Sequence, residues 1–355
     1  MYIKTILLGS LAAFGAATSA NAADAVVIAE PEPMEYVRVC DVYGTGYFYI
    51  PGTETCLKVS GYYRYEITSI GSSDFGGDQY GDNVDGYRKR ARFAPEFTVK
   101  SETELGTLTG YARIYAQWDT LEGSGADNAT YLDHMQISLA TANGTILVGY
   151  GDTPYSRFLG YAGPTIYEGR YGFNSSGEIS YTYDSGNGLT AIVAAVENDD
   201  NSDWDTNFEG GVNFTRGWGS IGAMAGYDGV DENWGAKIGA RFAIPNTAVK
   251  LTLDGFYSSD DDGAAGDYSI ISPNGFISEW SVLAGASVPL GTKFAIVGTA
   301  QWFSDNDTLV GSDDEWEFSL GAPFAPVTGM SITPEVAYDT FSEEYTGILR
   351  FQRDF

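Results

Sequence analysis

The sequence predicts an all-β fold, a sixteen-stranded antiparallel transmembrane β-barrel. From residue 57 onward, runs of roughly ten residues alternate polar and apolar side chains, and no window carries the 3.6-residue stripe of an amphipathic helix. The breaks between the runs alternate between short and long. Glycine supplies 45 of the 355 residues, and only 19% of positions are charged. Membrane strands need no long apolar segment, because only one face of each strand meets lipid.

The first run shows the alternation that defines a strand with one lipid face and one water face. Its apolar set is Leu57, Val59, Gly61, Tyr63, Tyr65 and Ile67, and its polar set is Lys58, Ser60, Tyr62, Arg64, Glu66 and Thr68. The sixteen predicted strands lie near residues 57–68, 87–100, 107–118, 131–140, 145–151, 178–185, 188–196, 208–216, 219–228, 234–243, 248–258, 279–289, 293–303, 314–322, 330–339 and 345–355.

The two kinds of break predict the two ends of the barrel. The short ones carry the Gly, Pro, Asn and Ser residues of tight turns and lie at 101–106, 141–144, 185–187, 217–219, 245–247, 291–292 and 323–329. The long, acidic ones lie at 69–86, 119–130, 152–177, 197–207, 229–233, 259–278, 304–313 and 340–344. Short periplasmic turns and long outer loops are typical of membrane barrels, whereas a soluble sandwich has no reason to sort its loops in this way.

Tryptophan positions test the same prediction independently. Five tryptophans fall on the apolar face of a strand, beside a long loop: Trp118, Trp234, Trp280, Trp302 and Trp316. Such a distribution predicts an aromatic girdle at the outer membrane interface. The alternative, the tryptophan core of a soluble sandwich, would favour the strand centres instead.

The first residues have the features of an export signal. Lys4 supplies a positive charge, residues 6–17 form a short apolar core, and Ala20 and Ala22 make a small-x-small cleavage site. We therefore expect a signal peptide over 1–22, a periplasmic N-terminal segment over 23–56 and the transmembrane barrel over 57–355.

Cys40 and Cys56 are the two cysteines of the chain, and export places them in an oxidising compartment. A disulfide closing this short loop would contribute about 3 kcal/mol in the chain-entropy model. The alternative is a free thiol pair with a redox role, which the absence of a C-x-x-C spacing disfavours.

Charge and composition exclude several functions. With 48 acidic and 19 basic residues the formal net charge is −29, so nucleic acid is not an expected partner. One histidine and two cysteines leave no zinc ligand set and disfavour histidine catalysis, and His134 and Ser138 would lie about 13 Å apart on a strand. We expect no enzyme, no cofactor and no metal site.

One alternative concerns the acidic loop residues at 199–205 and 260–262. These residues could bind divalent cations that bridge to lipopolysaccharide, although the EF-hand spacing is absent.

Four segments resemble a known family. They are residues 35–64 (EYVRVCDVYGTGYFYIPGTETCLKVSGYYR), 91–93 (ARF), 101–107 (SETELGT) and 349–355 (LRFQRDF). These segments are similar to the major outer-membrane general porins of alphaproteobacteria such as Brucella and other Rhizobiales. The resemblance implies a sixteen-stranded barrel, a homotrimer, and passive diffusion of small hydrophilic solutes and ions in a membrane with lipopolysaccharide. A sugar- or anion-selective channel, and a barrel acting through its outer loops as an adhesin or receptor, are the alternatives.

Strand periodicity predicts which side chains line the water side. A basic pore wall is expected on strands that become neighbours when the barrel closes: Lys58, Arg64, Arg88, Arg90, Arg92, Arg113 and Arg350. Their fields are expected to add and to restrain cations. Two other readings stay open: ordinary polar lining by the arginines, and a sugar track formed by Tyr62, Tyr111 and Tyr115.

In the family that the chain resembles, the third loop folds inward and narrows the channel. The corresponding segment here is 152–177, the longest predicted loop, which we expect to set the size limit. Its charged residues are Asp152, Arg157, Glu168 and Arg170, so its net charge is near zero. This departs from the acidic inner loop that would produce a strong transverse field.

Overall fold

The alternating runs of the sequence form long antiparallel strands, and sixteen of them close into a barrel. The computed structural model describes residues 38–69, 87–120, 128–167, 169–198, 205–260, 266–304 and 314–355. The strands are β1 (Tyr47–Tyr49), β2 (Cys56–Ser69), β3 (Tyr87–Thr103), β4 (Gly106–Asp119), β5 (Asn128–Thr141), β6 (Gly144–Asp152), β7 (Ser175–Asp184), β8 (Leu189–Glu197), β9 (Thr206–Arg216), β10 (Gly219–Tyr227), β11 (Trp234–Ala243), β12 (Lys250–Ser258), β13 (Ile270–Ile271), β14 (Ile277–Ser278), β15 (Trp280–Leu290), β16 (Phe294–Phe303), β17 (Glu315–Gly321), β18 (Met330–Asp339) and β19 (Tyr345–Asp354).

The barrel consists of β2–β12 and β15–β19. Each of these strands pairs antiparallel with the next one along the chain, and β12 pairs with β15. The barrel closes between β19 and β2, where Phe351 lies opposite Tyr65. Strands β13 and β14 form a separate two-stranded hairpin. The fold is therefore the predicted sixteen-stranded antiparallel barrel.

The two faces of the barrel wall have opposite character. Apolar side chains on the outside are exposed, with Ile137, Ile179 and Val193 each 62% exposed. Polar side chains on the inside, such as Asn207 and Glu178, are buried. Soluble proteins show the opposite arrangement, with apolar side chains inside and polar side chains outside. A barrel surrounded by lipid requires apolar side chains on its outer face. Among the described residues no helix has the length and hydrophobicity needed to cross a membrane.

Three short strands were not predicted: β1 and the paired β13 and β14. Within residues 38–56, a 3₁₀ turn at Asp41–Tyr43 precedes β1, which pairs with the start of β2. The Cys40–Cys56 disulfide is present, and Tyr47 packs with both cysteines in a small buried cluster. The predicted disulfide is therefore correct, and it ties this segment to the first barrel strand.

Candidate functional site

The third long loop folds into the barrel. We call residues 153–174 the inner loop; it starts with the one-turn helix α1 (Pro154–Arg157). Its tip reaches strand β18, where the backbone N–H groups of Ile166 and Tyr167 each donate a 2.8 Å hydrogen bond to the Glu335 carboxylate. The loop therefore crosses the interior and is held on the far wall.

Further contacts fasten the inner loop along its length. The Arg170 N–H donates to Gln301 Oε1 at 3.0 Å, and Gln301 Nε2 donates back to the Arg170 carbonyl at 2.9 Å. Near α1, the Tyr155 N–H donates to Glu209 at 2.5 Å, and the buried Lys237 donates to the Ser156 carbonyl at 3.4 Å. Side chains on β9, β11 and β16 thus bind the backbone of the loop rather than leaving it free.

An apolar cluster lies beneath the inner loop, inside the barrel. Its buried members include loop residues and inward-facing strand residues: Tyr155, Leu159, Tyr171, Ile192, Met224, Phe256, Leu283 and Phe303. Burial, together with the nearby Glu209 carboxylate, raises the pKa of the Tyr155 hydroxyl well above its usual range. Packing of this kind holds the loop as a fixed element and not as a mobile flap.

The only histidine of the chain, His134, lies beside the start of the inner loop. His134 on β5 accepts the Asp152 N–H at its Nε2 (3.3 Å), and its Nδ1 lies 2.6 Å from Asp133. The Asp152 carboxylate accepts the hydroxyl of Tyr161 at 2.5 Å. Arg157 pairs with Glu178 and also donates to the Asp152 carbonyl at 2.8 Å. Asp152 and Arg157 are therefore anchoring groups at the start of the loop.

A second loop also folds inward, and the sequence reasoning missed it. The segment 259–278 was expected to be an exposed acidic loop, but its hairpin of β13 and β14 is buried, with Ile270 at 1% exposure. We call residues 266–279 the hairpin loop. Tyr268 packs on Tyr155 at a ring distance of 5.0 Å, and the Gly172 N–H donates to the Ser269 carbonyl. The Asn274-Gly275 dipeptide was the available signal, because it is typical of a tight hairpin turn.

The opposite wall carries the predicted arginines, arranged in rows by the strand register. One row, which we call the mixed row, runs across β19, β2, β3 and β4 as Arg350, Glu66, Arg90 and Asp119. Its charges alternate in sign. Glu66 is 2% exposed and accepts hydrogen bonds from Arg90 Nε at 2.7 Å and Arg350 Nε at 2.6 Å.

The mixed row corrects the expectation that the arginine fields simply add. Arg88 is also paired, because its Nε lies 2.9 Å from Asp119. Deeper in the barrel, Arg113 forms ion pairs with Asp133 and, at 3.9 Å, with Glu96. Strand periodicity predicts a common face for these arginines, but it does not indicate which carboxylates face them across the strands.

The adjacent row, one side-chain repeat further from the long loops, is different. We call it the cationic row: Gln352, Arg64, Arg92 and Gln117. Arg64 Nε donates to Gln352 at 2.8 Å, and Arg92 donates to Gln117 at 3.0 and 2.8 Å. Each guanidinium also stacks on a tyrosine, Arg64 on Tyr62 at 4.4 Å and Arg92 on Tyr115 at 4.0 Å.

The remaining predicted residues are distributed as follows. Lys58 lies near the Tyr47 ring, three inward positions from Arg64 along β2, so it is not part of the arginine cluster. Arg170 lies 3.7 Å from Glu317, whereas Glu168 lies outside the described residues. The five tryptophans face outward near the long-loop ends of their strands, and Trp302 lies opposite Trp316 in the register.

Comparison with known proteins shows which family the chain belongs to. The family model described as "Porin subfamily" matches residues 24–353. The chain is 36% identical to Porin Omp2b of Brucella suis biovar 1 and of Brucella abortus, and 35% identical to Porin Omp2a of Brucella melitensis, with each alignment covering 100% of both chains. This chain belongs to the porin family. Among solved structures, a triple mutant of Rhodopseudomonas blastica porin aligns with a TM-score of 0.61 at 18% identity, over 84% of this chain and 100% of that one.

The porin is an outer-membrane protein that crosses the membrane with its sixteen strands and forms a channel. Its relatives are channels and not enzymes. Among the residues that the structure describes, no group of three or more His, Cys, Asp or Glu side chains is arranged to hold a metal ion. Most of the acidic loop residues considered for divalent cations, including 199–203 and 261–262, lie outside the described ranges.

Proposed function

We propose that this porin passes small hydrophilic solutes and ions by size-limited diffusion, through the space between the inner loop and the arginine strands. The observation that carries the proposal is the one-sided placement of the inner loop. Its partners Gln301 and Glu335 are 2% and 5% exposed, whereas the side chains of Arg64 and Arg90 on the other wall keep 18% and 22% exposure. Water therefore has room beside the arginines.

In this proposal the inner loop sets the size limit, with its charged residues Arg157 and Arg170 at the constriction and Asp152, the last residue of β6, anchoring its start. The pore wall is formed by Arg64, Arg88, Arg90, Arg92, Arg113 and Arg350, with Lys58 nearer the periplasmic turns. Selectivity among ions is weak, because most of the wall cations are paired with carboxylates.

The experiment is deletion of most of the inner loop, residues 156–172, bridged by a short Gly-Ser linker. Single-channel conductance in planar bilayers and the sugar size cutoff in liposome swelling are both expected to rise. A matched control shortens the exposed short turn at 245–248, at the opposite end of the barrel, which contacts neither inward loop. If the folded deletion variant keeps the parent conductance and cutoff, the constriction lies elsewhere.

We also propose the topology of the mature protein. Residues 1–22 are removed on export, 23–56 lie on the periplasmic side, and the five tryptophans form a girdle in contact with outer-membrane lipid and lipopolysaccharide. The assembly is a homotrimer. Support for the girdle comes from the outward exposure of Trp234 and Trp280. Their ring centroids lie 4.6 and 4.5 Å from that of Tyr257. Chemical crosslinking in native outer membranes tests the trimer.

A further inference from the structure

The cationic row differs from its neighbours in how its charge is balanced. The mixed row, about 7 Å away along the strands, supplies a carboxylate beside every guanidinium. In the cationic row, Arg64 and Arg92 are direct cross-strand partners, and the residues on either side of them are glutamines. Like charges directly opposite on neighbouring strands are unfavourable.

The glutamines satisfy hydrogen bonds but leave the positive charge uncompensated. No carboxylate among the described residues lies within 4.0 Å of Arg92. Arg64 approaches Glu66 only at 4.0 Å, and that carboxylate already accepts from Arg90 and Arg350. Two adjacent guanidiniums therefore share no dedicated counter-charge from the protein.

The row is also held rigidly and remains accessible. Gln352 and Gln117 fix the guanidiniums from the two sides, and the rings of Tyr62 and Tyr115 support their flat faces. The side chain of Arg64 is 18% exposed. A guanidinium group carries five N–H donors; Gln117 accepts from two of them on Arg92 and Gln352 from one on Arg64, so fixed donors remain for the oxygens of an anion.

We propose that Arg64 and Arg92 form a binding step for small oxyanions, phosphates or carboxylates, within the channel. The proposal rests on the proposed path beside the arginine strands and deepens it. A solute carrying such a group pauses at the cationic row, where its negative charge balances the two guanidinium groups. Neutral solutes pass without this step and are limited by size alone.

The test measures current block in planar bilayers at constant ionic strength, with chloride replaced stepwise by inorganic phosphate in one series and by succinate in another. In the parent porin, conductance is expected to fall as the oxyanion concentration rises and then to level off once the binding step is saturated. In the Arg64→Gln/Arg92→Gln variant the half-saturating concentration is expected to rise at least tenfold. Saturation by phosphate alone or by succinate alone assigns the step to that class of oxyanion.

Two further variants keep the test decisive. Arg216→Gln/Lys293→Gln removes the same two charges from exposed positions near the periplasmic turns and is expected to leave the half-saturating concentration unchanged. Arg64→Lys/Arg92→Lys keeps the charge but not the fork, and is expected to weaken the block by an intermediate factor.

The proposal is wrong if the parent shows no saturation with either oxyanion, or if Arg64→Gln/Arg92→Gln has the same half-saturating concentration as Arg216→Gln/Lys293→Gln. Neither result affects the size-limited channel, which depends on the inner-loop deletion and on sugar cutoffs.

Discussion

The two sides of the barrel interior balance their polar groups in different ways. On the loop-covered wall, formed by β9–β12 and β15–β18, buried carboxylate and amide side chains bind the backbone of the inner loop, as Glu335 and Gln301 do. On the arginine wall, formed by β19, β2, β3 and β4, side chains bind other side chains across the strands, as Arg90 and Glu66 do. One wall holds a loop, and the other faces water.

This difference has a physical cause. A backbone segment crossing the barrel brings N–H and C=O groups that need partners away from water, so it lies where uncharged or acidic acceptors and apolar side chains are available. A wall of paired guanidiniums and carboxylates offers few free acceptors and remains hydrated. Substitutions on the loop-covered wall should therefore alter pore size, and those on the arginine wall should alter ion selectivity.

The largest effect is expected from Glu66→Gln on the arginine wall. Arg90 and Arg350 both donate to the buried Glu66 carboxylate, so its loss leaves two guanidiniums without their partner. We expect the free energy of unfolding to fall by about 3 kcal/mol, by analogy with broken buried pairs, and reversal potentials across a salt gradient to shift toward anions.

Glu104→Gln, at an exposed turn, is the matched control and should change neither quantity. If the Glu66 variant keeps the parent reversal potential, the mixed row does not face the conduction path.

A smaller effect is expected from Glu335→Gln on the loop-covered wall. Two loop N–H groups share this carboxylate, and the amide can accept only one of them favourably. The cost should be about 1–3 kcal/mol, and looser anchoring should raise open-channel noise and mean conductance without moving the reversal potential.

Ser319→Ala serves as the control, because Ser319 is buried on the same wall and its hydroxyl has no hydrogen-bond partner among the described residues. A selectivity shift in Glu335→Gln with unchanged conductance would contradict the division of roles between the walls.

Gly235→Ala probes the contact between the two inward loops. A Cβ at Gly235 would lie 2.6 Å from the Tyr268 Cβ and 3.1 Å from the Tyr155 hydroxyl oxygen, so both loops must shift. Overpacking of this kind costs about 1–3 kcal/mol, and we expect a modest change in single-channel conductance.

The control is Gly255→Ala, where the nearest neighbour of the new Cβ among the described residues would be Ile238 Cγ2 at 3.4 Å, an ordinary contact. Equal conductance in both variants would show that the hairpin loop does not position the inner loop.

The smallest effect on transport is expected from Cys40→Ser/Cys56→Ser. The disulfide lies at the first residue of β2, at the end of that strand away from the long loops, so conductance and selectivity should match the parent. In the parent, intact-mass analysis after alkylation without reductant should show no added alkyl groups. Two additions would mean that the disulfide does not form in the mature porin.

Local patterns in the sequence are sufficient to predict the strands and the sorting of loops by length, and they assign each arginine to one side of the wall. A period of two residues assigns a side chain to a face, and turn residues mark the breaks. The same local signals predicted the Cys40–Cys56 bridge and the outward tryptophans Trp234 and Trp280. Resemblance to porins then indicated that the third loop folds inward.

The contacts between groups that are distant in sequence depend on how the strands and loops pack. Periodicity cannot supply the registers between β19 and β2 and between β2 and β3. These registers place Glu66 between Arg350 and Arg90 in the mixed row and Arg64 beside Arg92 in the cationic row. The bonds from Ile166 and Tyr167 to Glu335 likewise join segments more than 160 residues apart. Such contacts depend on the path of a loop through three-dimensional space, because the polar side chains that receive it are indistinguishable in sequence from those that face water.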